Sequence, residues 1–350
     1  MLADNAALAE APAPPSPLRP DAAAVWEQLS RESGTFLGEV SRRLLQQIEA
    51  FEPEAAAPAG QALRAGGKHL RPLLVASAGR ATGRTGPAHV EAAVIVELVH
   101  LATLVHDDII DDAQVRRRQP TVAATHGSQV AVLAGDCLFA HALELAAGFP
   151  TPEVCRLVAA ATKRVCTGEI LQTLRRDGFG TEIGSYFRVI EMKTGELFAV
   201  ACELGVLLAG GDAAVRAAAR RFGLDFGTAF QIYDDCLDLF GSEATAGKTL
   251  GTDLMKGKVT LPLLLAHRDG SVADRRRLEE FVDDWHPGRQ PALAELLRRH
   301  DAGRRSLEVV LEHVGRAREA LDALPVAEGR RALARLTDVL GAETARLAPA

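Results

Sequence analysis

The sequence predicts an all-α protein, and three observations carry that prediction. Ala, Leu, Arg and Glu dominate while aromatic residues make up only 5%, a balance that favours helices, where unbranched side chains keep most of their rotamer freedom. Apolar residues recur with the 3.6-residue period of a packed helix face, and no stretch shows convincing strand-type alternation. Glycine- and proline-rich stretches, "RAGGK", "RATGRTGPAH", "AAGFPTPE", "LLAGGD" and "WHPGRQP", punctuate the chain at helix-length intervals.

Taken in order, residues 1–21 read as a flexible tail, because "MLADNAALAEAPAPPSPLRP" is rich in Pro and Ala and lacks the positive start and apolar core of a signal peptide. Residues 22–350 read as a single all-helical domain. Within 91–112, Val94, Leu98, Leu101 and Val105 recur at i, i+4, i+7 and i+11, which predicts a helix with one packed face. Asp107 and Asp111 then lie one turn apart on it, with Asp108 and Asp112 as a second row. Within 222–240, Phe226, Phe230, Tyr233, Leu237 and Phe240 repeat the pattern, stacking Asp234 on Asp238 with Asp235 beside them and Gln231 one turn before. The chain therefore carries two DDxxD motifs, each near the end of an amphipathic helix.

Carboxylates at that spacing repel one another unless a cation sits between them, and keeping them beside a core is costly without compensation. Oxygen-only donors suit a hard divalent ion, and Mg²⁺ is the usual choice where phosphate oxygens complete its shell. The sequence also supplies cations for a phosphate: Lys68 and Arg71 in "GGKHLRP", Arg116, Arg117 and Arg118 in "VRRRQPT", Lys193 with Thr194 in "MKTGE", and Lys248, Lys256 and Lys258 in "GKTLGTDLMKGK". Neither glycine-lysine stretch has the spacing of a nucleotide-binding P-loop. No Ser-His-Asp or Cys-His arrangement is evident.

The bulk numbers exclude other classes. A net charge of −6 and a pI near 6.0 argue against nucleic acid as a partner. The five cysteines, Cys137, Cys155, Cys166, Cys202 and Cys236, form no CxxC pair and read as buried free thiols in a reducing compartment. No run approaches the roughly 18 uninterrupted apolar residues of a membrane span. The most apolar candidate, "FAVACELGVLLAGG", is broken by Glu203 and glycines, so the expectation is a cytoplasmic protein without a membrane span.

The set "GGKHLRP", "HLATLVHDDIIDDAQVRRRQPT", "EMKTGELFAVACELG", "FQIYDDCLDLFG" and "GKTLGTDLMKGKVTLPLL" closely resembles the trans-type polyprenyl diphosphate synthases, in order from about residue 35 to 265. The resemblance implies the isoprenoid synthase fold, a large helical bundle around a central cavity, and a homodimer. It implies a head-to-tail condensation of isopentenyl diphosphate with an allylic diphosphate, with three Mg²⁺ ions per active site when substrate is bound. The metal carboxylates so implied are Asp107, Asp108, Asp111, Asp234, Asp235 and Asp238. Isopentenyl diphosphate would meet Lys68, Arg71, His100 and Arg117, and the allylic diphosphate Arg116, Lys193, Thr194, Gln231, Lys248 and Lys258. His106 is expected to orient the acidic row, and His69, standing where relatives commonly carry Arg, to weaken the local positive field slightly.

The resemblance also makes Thr103 and Ala102 face the cavity into which the product grows. Both are small, which predicts a product longer than fifteen carbons. Two departures stand out: Arg118 occupies a position where relatives commonly have Gly, and "LTDVLGAETARLAPA" lacks their basic C-terminus. Two rival readings make other demands. A non-catalytic subunit would carry degenerate acidic motifs, and a class I terpene cyclase mixes Asn or Asp with Ser and Glu in its second motif. Both motifs here are intact, and Lys68, Arg71 and His100 favour condensation over cyclisation.

Overall fold

The glycine- and proline-rich punctuation marks fall at helix ends or between helices, so far as they are described, in the computed structural model, which describes residues 20–65, 67, 69–174, 178–241 and 251–347. The expected tail lies almost wholly outside the described residues, as do Lys68 and Lys248. In chain order the helices are α1 Pro20–Glu32, α2 Gly34–Glu49, α3 Pro53–Arg64, α4 Leu70–Thr82, α5 Pro87–Ile110, α6 Val122–His126, α7 Ser128–Ala147, α8 Glu153–Leu174 and α9 Ile183–Ile190. They continue as α10 Glu196–Leu208, α11 Ala213–Phe240, α12 Thr252–Met255, α13 Leu261–Asp269, α14 Val272–Asp283, α15 Gln290–Arg299, α16 Ala302–Ala320 and α17 Glu328–Leu347. One π-helical turn, Glu191–Gly195, joins α9 to α10.

Local chemistry sets several of these boundaries. Asp212 caps α11 by accepting from the Val215 amide at 2.9 Å, and Thr121 caps α6 by accepting from the Ala124 amide at 3.0 Å. Pro87 occupies the first turn of α5, where its missing N–H is not needed. The core forms where α4, α5, α10, α11 and α16 pack together. Leu73 to Ala76 of α4 are all fully buried, so that helix is apolar on every side and enclosed. Each fully buried Leu, Val, Ile or Phe in this cluster contributes about 1.5–3 kcal/mol relative to exposure. A smaller cluster, Leu239, Leu254, Leu263, Leu278, Leu293 and Leu297 among its members, holds the helices after α11 against the end of α11.

Three expectations are corrected. The segment after the first acidic motif forms a short hairpin, β1 Val115–Arg116 paired antiparallel with β2 Gln119–Pro120. Four residues are too few for an alternating pattern to register in the sequence. Asp112 is not in a helical row, because α5 stops at Ile110 and Asp112 turns the chain at φ 49. Only Cys202 and Cys236 are buried; Cys137 and Cys166 are exposed and Cys155 is intermediate. By length and composition alone α5 and α7 could each cross a membrane, but α5 is a mostly buried core helix here.

Candidate active site

The last turn of α5 carries the first acidic motif into a ring of basic side chains. Asp107 lies 3.6 Å from the Lys193 ammonium, which also pairs with Glu169 of α8. Arg116, on β1, folds back so that its Nε and Nη2 donate to one oxygen of Asp108 at 2.9 and 2.8 Å. Lys256 donates to Asp111 at 2.8 Å, and Lys258 stands 3.5 Å from the same oxygen. Burial pushes Asp107 up to about 6 even though Lys193 pulls it down. At Asp111 burial is outweighed by Lys258 and Lys256, which hold the carboxyl below its ordinary value.

The π turn places Lys193 and Thr194 on the same cavity. A widened turn inserts one residue into the helix, and Gly168 of α8 makes room for it: a Cβ there would stand 2.8 Å from the Lys193 nitrogen. Lys193 thus faces the first motif while Thr194 donates to Gln231 at 2.8 Å, and Gln231 in turn donates to Asp235 at 2.8 Å. The other Asp235 oxygen accepts from the Tyr186 hydroxyl at 2.6 Å. Burial, with Asp253 nearby, pushes Asp235 up to about 8. Asp234 is half-buried beside it.

Asp238 is the most enclosed carboxylate of the expected metal row. It is 1% exposed, and its oxygens accept from the Thr252 hydroxyl at 3.1 Å and the Asp253 amide at 3.1 Å. The carboxylate therefore anchors α12, an N-terminal position where a negative charge is favoured. That anchoring has a distant effect, since the segment after α12 delivers Lys256 and Lys258 to Asp111 of the other motif.

A second basic pocket opens beside the start of α4. The Arg71 guanidinium stacks 4.7 Å above the Phe198 ring, and Arg117 at the hairpin tip presses against Gly67, 3.0 Å from where a Cβ would stand. His100 lies one helical turn beyond Glu97, whose carboxylate is 3.3 Å from His69. Burial, reinforced by Arg71, drives His100 well below the usual histidine value. Both hairpin-tip residues, Arg117 at φ 49 and Arg118 at φ 65, take the left-handed conformation that a two-residue turn of this type requires. His106 reaches the Val132 carbonyl at 3.0 Å across a gap kept open by Gly135. It ties the acidic end of α5 to α7. Ala102 is fully buried, and Thr103 is half-buried with its hydroxyl donating to the His100 carbonyl at 2.7 Å.

Several site residues were not singled out from the sequence: Glu97, Glu169, Tyr186 and Asp253. Glu169 and Glu97 were legible only as acids on otherwise apolar helix faces, a weak signal. Among the described residues no three acidic, histidine or cysteine side chains converge into a ready-made metal cage. The carboxylate donors nonetheless fit Mg²⁺, which keeps several waters and is held through one or two carboxylates plus substrate phosphates.

The sequence profile of the family described as Polyprenyl synthetase matches residues 52–298. Heptaprenyl diphosphate synthase component 2 of Geobacillus stearothermophilus is 35% identical over 311 residues, covering 88% of this chain and 97% of that protein. Nonaprenyl diphosphate synthase of Mycobacterium tuberculosis is 39% identical over 279 residues, covering 78% and 82%. The crystal structure of a polyprenyl synthase from Caulobacter crescentus, complexed with calcium and isoprenyl diphosphate, superposes with a TM-score of 0.84 at 33% identity over 90% of this chain and 97% of that one.

Proposed function

The chain belongs to the polyprenyl synthetase family, and from that premise we propose that it condenses isopentenyl diphosphate with an allylic diphosphate to give an all-trans prenyl diphosphate longer than fifteen carbons. It is a trans-prenyltransferase, and its reaction depends on divalent metal. The observation that carries the reading is the meeting of Lys193, Arg116, Lys256 and Lys258 on the three carboxylates of the first motif. These cations neutralise the acids in the absence of ligand and are positioned to hold a diphosphate when the carboxylates are given to metal.

Asp107, Asp108, Asp111, Asp234, Asp235 and Asp238 would hold Mg²⁺, three ions with substrate bound. When bound, the ions draw off negative charge as the allylic C–O bond breaks. Lys193, through its ammonium, and Arg116, Lys258 and Lys248 steady the departing diphosphate, since a fixed charge costs no reorganisation at the moment of reaction. Thr194 and Gln231 orient that end of the cavity. Arg71, His100, Arg117 and Lys68 hold the isopentenyl diphosphate with its double bond toward the cation. The proton lost afterwards passes to the departing diphosphate, as the resemblance implies, so the chain needs no base of its own.

Small side chains at Ala102 and Thr103 leave the product room to grow, in keeping with the heptaprenyl and nonaprenyl products in the relatives' names. Residues 22–350 act as one domain in a cytoplasmic homodimer, whose interface is the apolar face of α7. A relative named as a component favours a second reading, in which an unlike subunit covers that face. The test is incubation of the purified protein with Mg²⁺, isopentenyl diphosphate and farnesyl diphosphate, followed by chromatography of the dephosphorylated products. Longer all-trans prenols, absent for an Asp107→Ala, Asp234→Ala double variant, are the expected outcome. A wild-type chain that yields nothing with farnesyl, geranyl or dimethylallyl diphosphate overturns the reading for the isolated chain.

A further inference from the structure

An acid in an anion pocket needs a reason. Glu97 is 4% exposed and stands among Arg71, His100 and Arg117, where its charge repels the ligand those residues are read as holding. We propose that Glu97 and His69 form a carboxylate–imidazole pair in which Glu97 keeps His69 cationic and aims it at the isopentenyl diphosphate, making His69 a diphosphate-binding residue. The proposal rests on the functional reading above and deepens it.

Three observations support it. His69 Nδ1 lies 3.3 Å from Glu97 Oε1, an ion-pair distance without hydrogen-bond geometry. Nε2 has no hydrogen-bond acceptor among the described residues. His69 is also held at φ 45 immediately before α4, a conformation that side-chain-bearing residues keep only where the surroundings impose it. In addition, His69 Nδ1, Arg71 Nε and Glu97 Oε2 are buried without a hydrogen-bond partner, and buried polar atoms are nearly always satisfied. An unmet donor in this pocket points to a ligand outside the chain.

The charges favour the cationic ring. The groups that act on His69 are Glu97 from α5 and Arg117 from the hairpin tip, and those that act on Glu97 also include Arg71 and His100. Burial lowers His69, but the Glu97 carboxylate more than restores it, leaving the ring above its usual value. Burial likewise works against the Glu97 charge, yet His69 above all, with Arg71, brings that carboxyl down to about 2. An arginine would stay charged at every pH, whereas a histidine loses its proton. Isopentenyl diphosphate should therefore bind most tightly below the His69 titration and more weakly as pH rises through it.

The test measures KM for isopentenyl diphosphate and for farnesyl diphosphate from about pH 6 to about pH 9 in wild type, His69→Arg, His69→Ala and Glu97→Gln. Ionisation of the substrate is common to all four chains, so the difference between wild type and His69→Arg isolates the ring. The wild-type isopentenyl KM should climb by up to about tenfold per pH unit relative to His69→Arg. His69→Ala should raise it about tenfold or more at low pH, and Glu97→Gln should move the climb to lower pH, with the farnesyl KM unchanged throughout. Identical profiles for wild type and His69→Arg, or an unaltered KM in His69→Ala, overturn the proposal. Should Glu97→Gln fail to fold, NMR titration of His69 in the wild-type chain with inorganic diphosphate decides: its midpoint moves upward if the proposal holds and stays put if it does not. A wild type that makes no product with any primer overturns the synthase reading, while the NMR titration still tests the pair.

Discussion

Helices α5 and α7 are neighbours of similar composition that the fold treats in opposite ways. In α5, 72% of the most apolar 18-residue stretch is buried, and in α7 only 33%. The chain covers α5 itself, and four of the polar residues on that helix, Glu97, His100, Asp107 and Asp108, line the candidate site. On α7 the side chains Val130, Leu133 and Cys137 follow helical spacing along an uncovered face, with Ile170 and Leu174 exposed on the adjoining α8. A patch of this kind is what interaction surfaces are made of. Apolarity therefore says that a helix will be covered, and only the fold says by what.

The comparison can be broken in four places. The largest effect belongs to the polar end of α5: Asp107→Ala should cut the condensation rate about a thousandfold or more, with unchanged circular dichroism and elution volume. Loss of helicity would instead make Asp107 a structural residue. Next, Leu98→Ala on α5, where the side chain is fully buried, should cost about 2–5 kcal/mol in urea denaturation. The same truncation at Leu133 of α7, 63% exposed, should cost the isolated chain no more than about 0.5 kcal/mol. Equal losses at the two positions would erase the contrast between the helices.

Leu133→Asp should weaken self-association at least about tenfold, read as a lower mass in light scattering, whereas an unshifted mass means that α7 covers no subunit interface. The smallest effect is on pH. Asp107 must be ionised to hold metal, and burial raises its carboxyl to about 6. Protons compete as pH falls through that value, so the Mg²⁺ needed for half-maximal rate should rise by up to about tenfold per unit below it and level off above. A flat requirement across that window argues against Asp107 as a metal-holding group.

Much of this architecture was legible in the sequence because it rests on spacing. The periods of α5 and α11, the punctuation between helices and the two acidic motifs all depend on residues near one another in the chain. What was not legible depends on where distant segments meet. Asp238 has the same motif position as Asp111, yet one takes the amide and hydroxyl donors of α12 and the other takes Lys256 and Lys258. Tyr186 and Glu169 matter through their contacts with Asp235 and Lys193, and no local pattern announces such meetings. The hairpin escaped notice for a different reason, since its tip holds two arginines where such turns usually carry Asn or Gly.

The π turn at Glu191–Gly195 acts as a phase shifter built into a long helical run. Its additional residue rotates everything downstream by about 100° relative to an uninterrupted helix, so that Lys193 and Thr194 address opposite acidic motifs while Phe198 still lies under Arg71. A substitution in this stretch changes one contact. A one-residue deletion would leave composition and helicity almost untouched and would turn the whole face of α10 away from its partners, which makes chain length at this point, more than residue identity, the quantity the site is built to preserve.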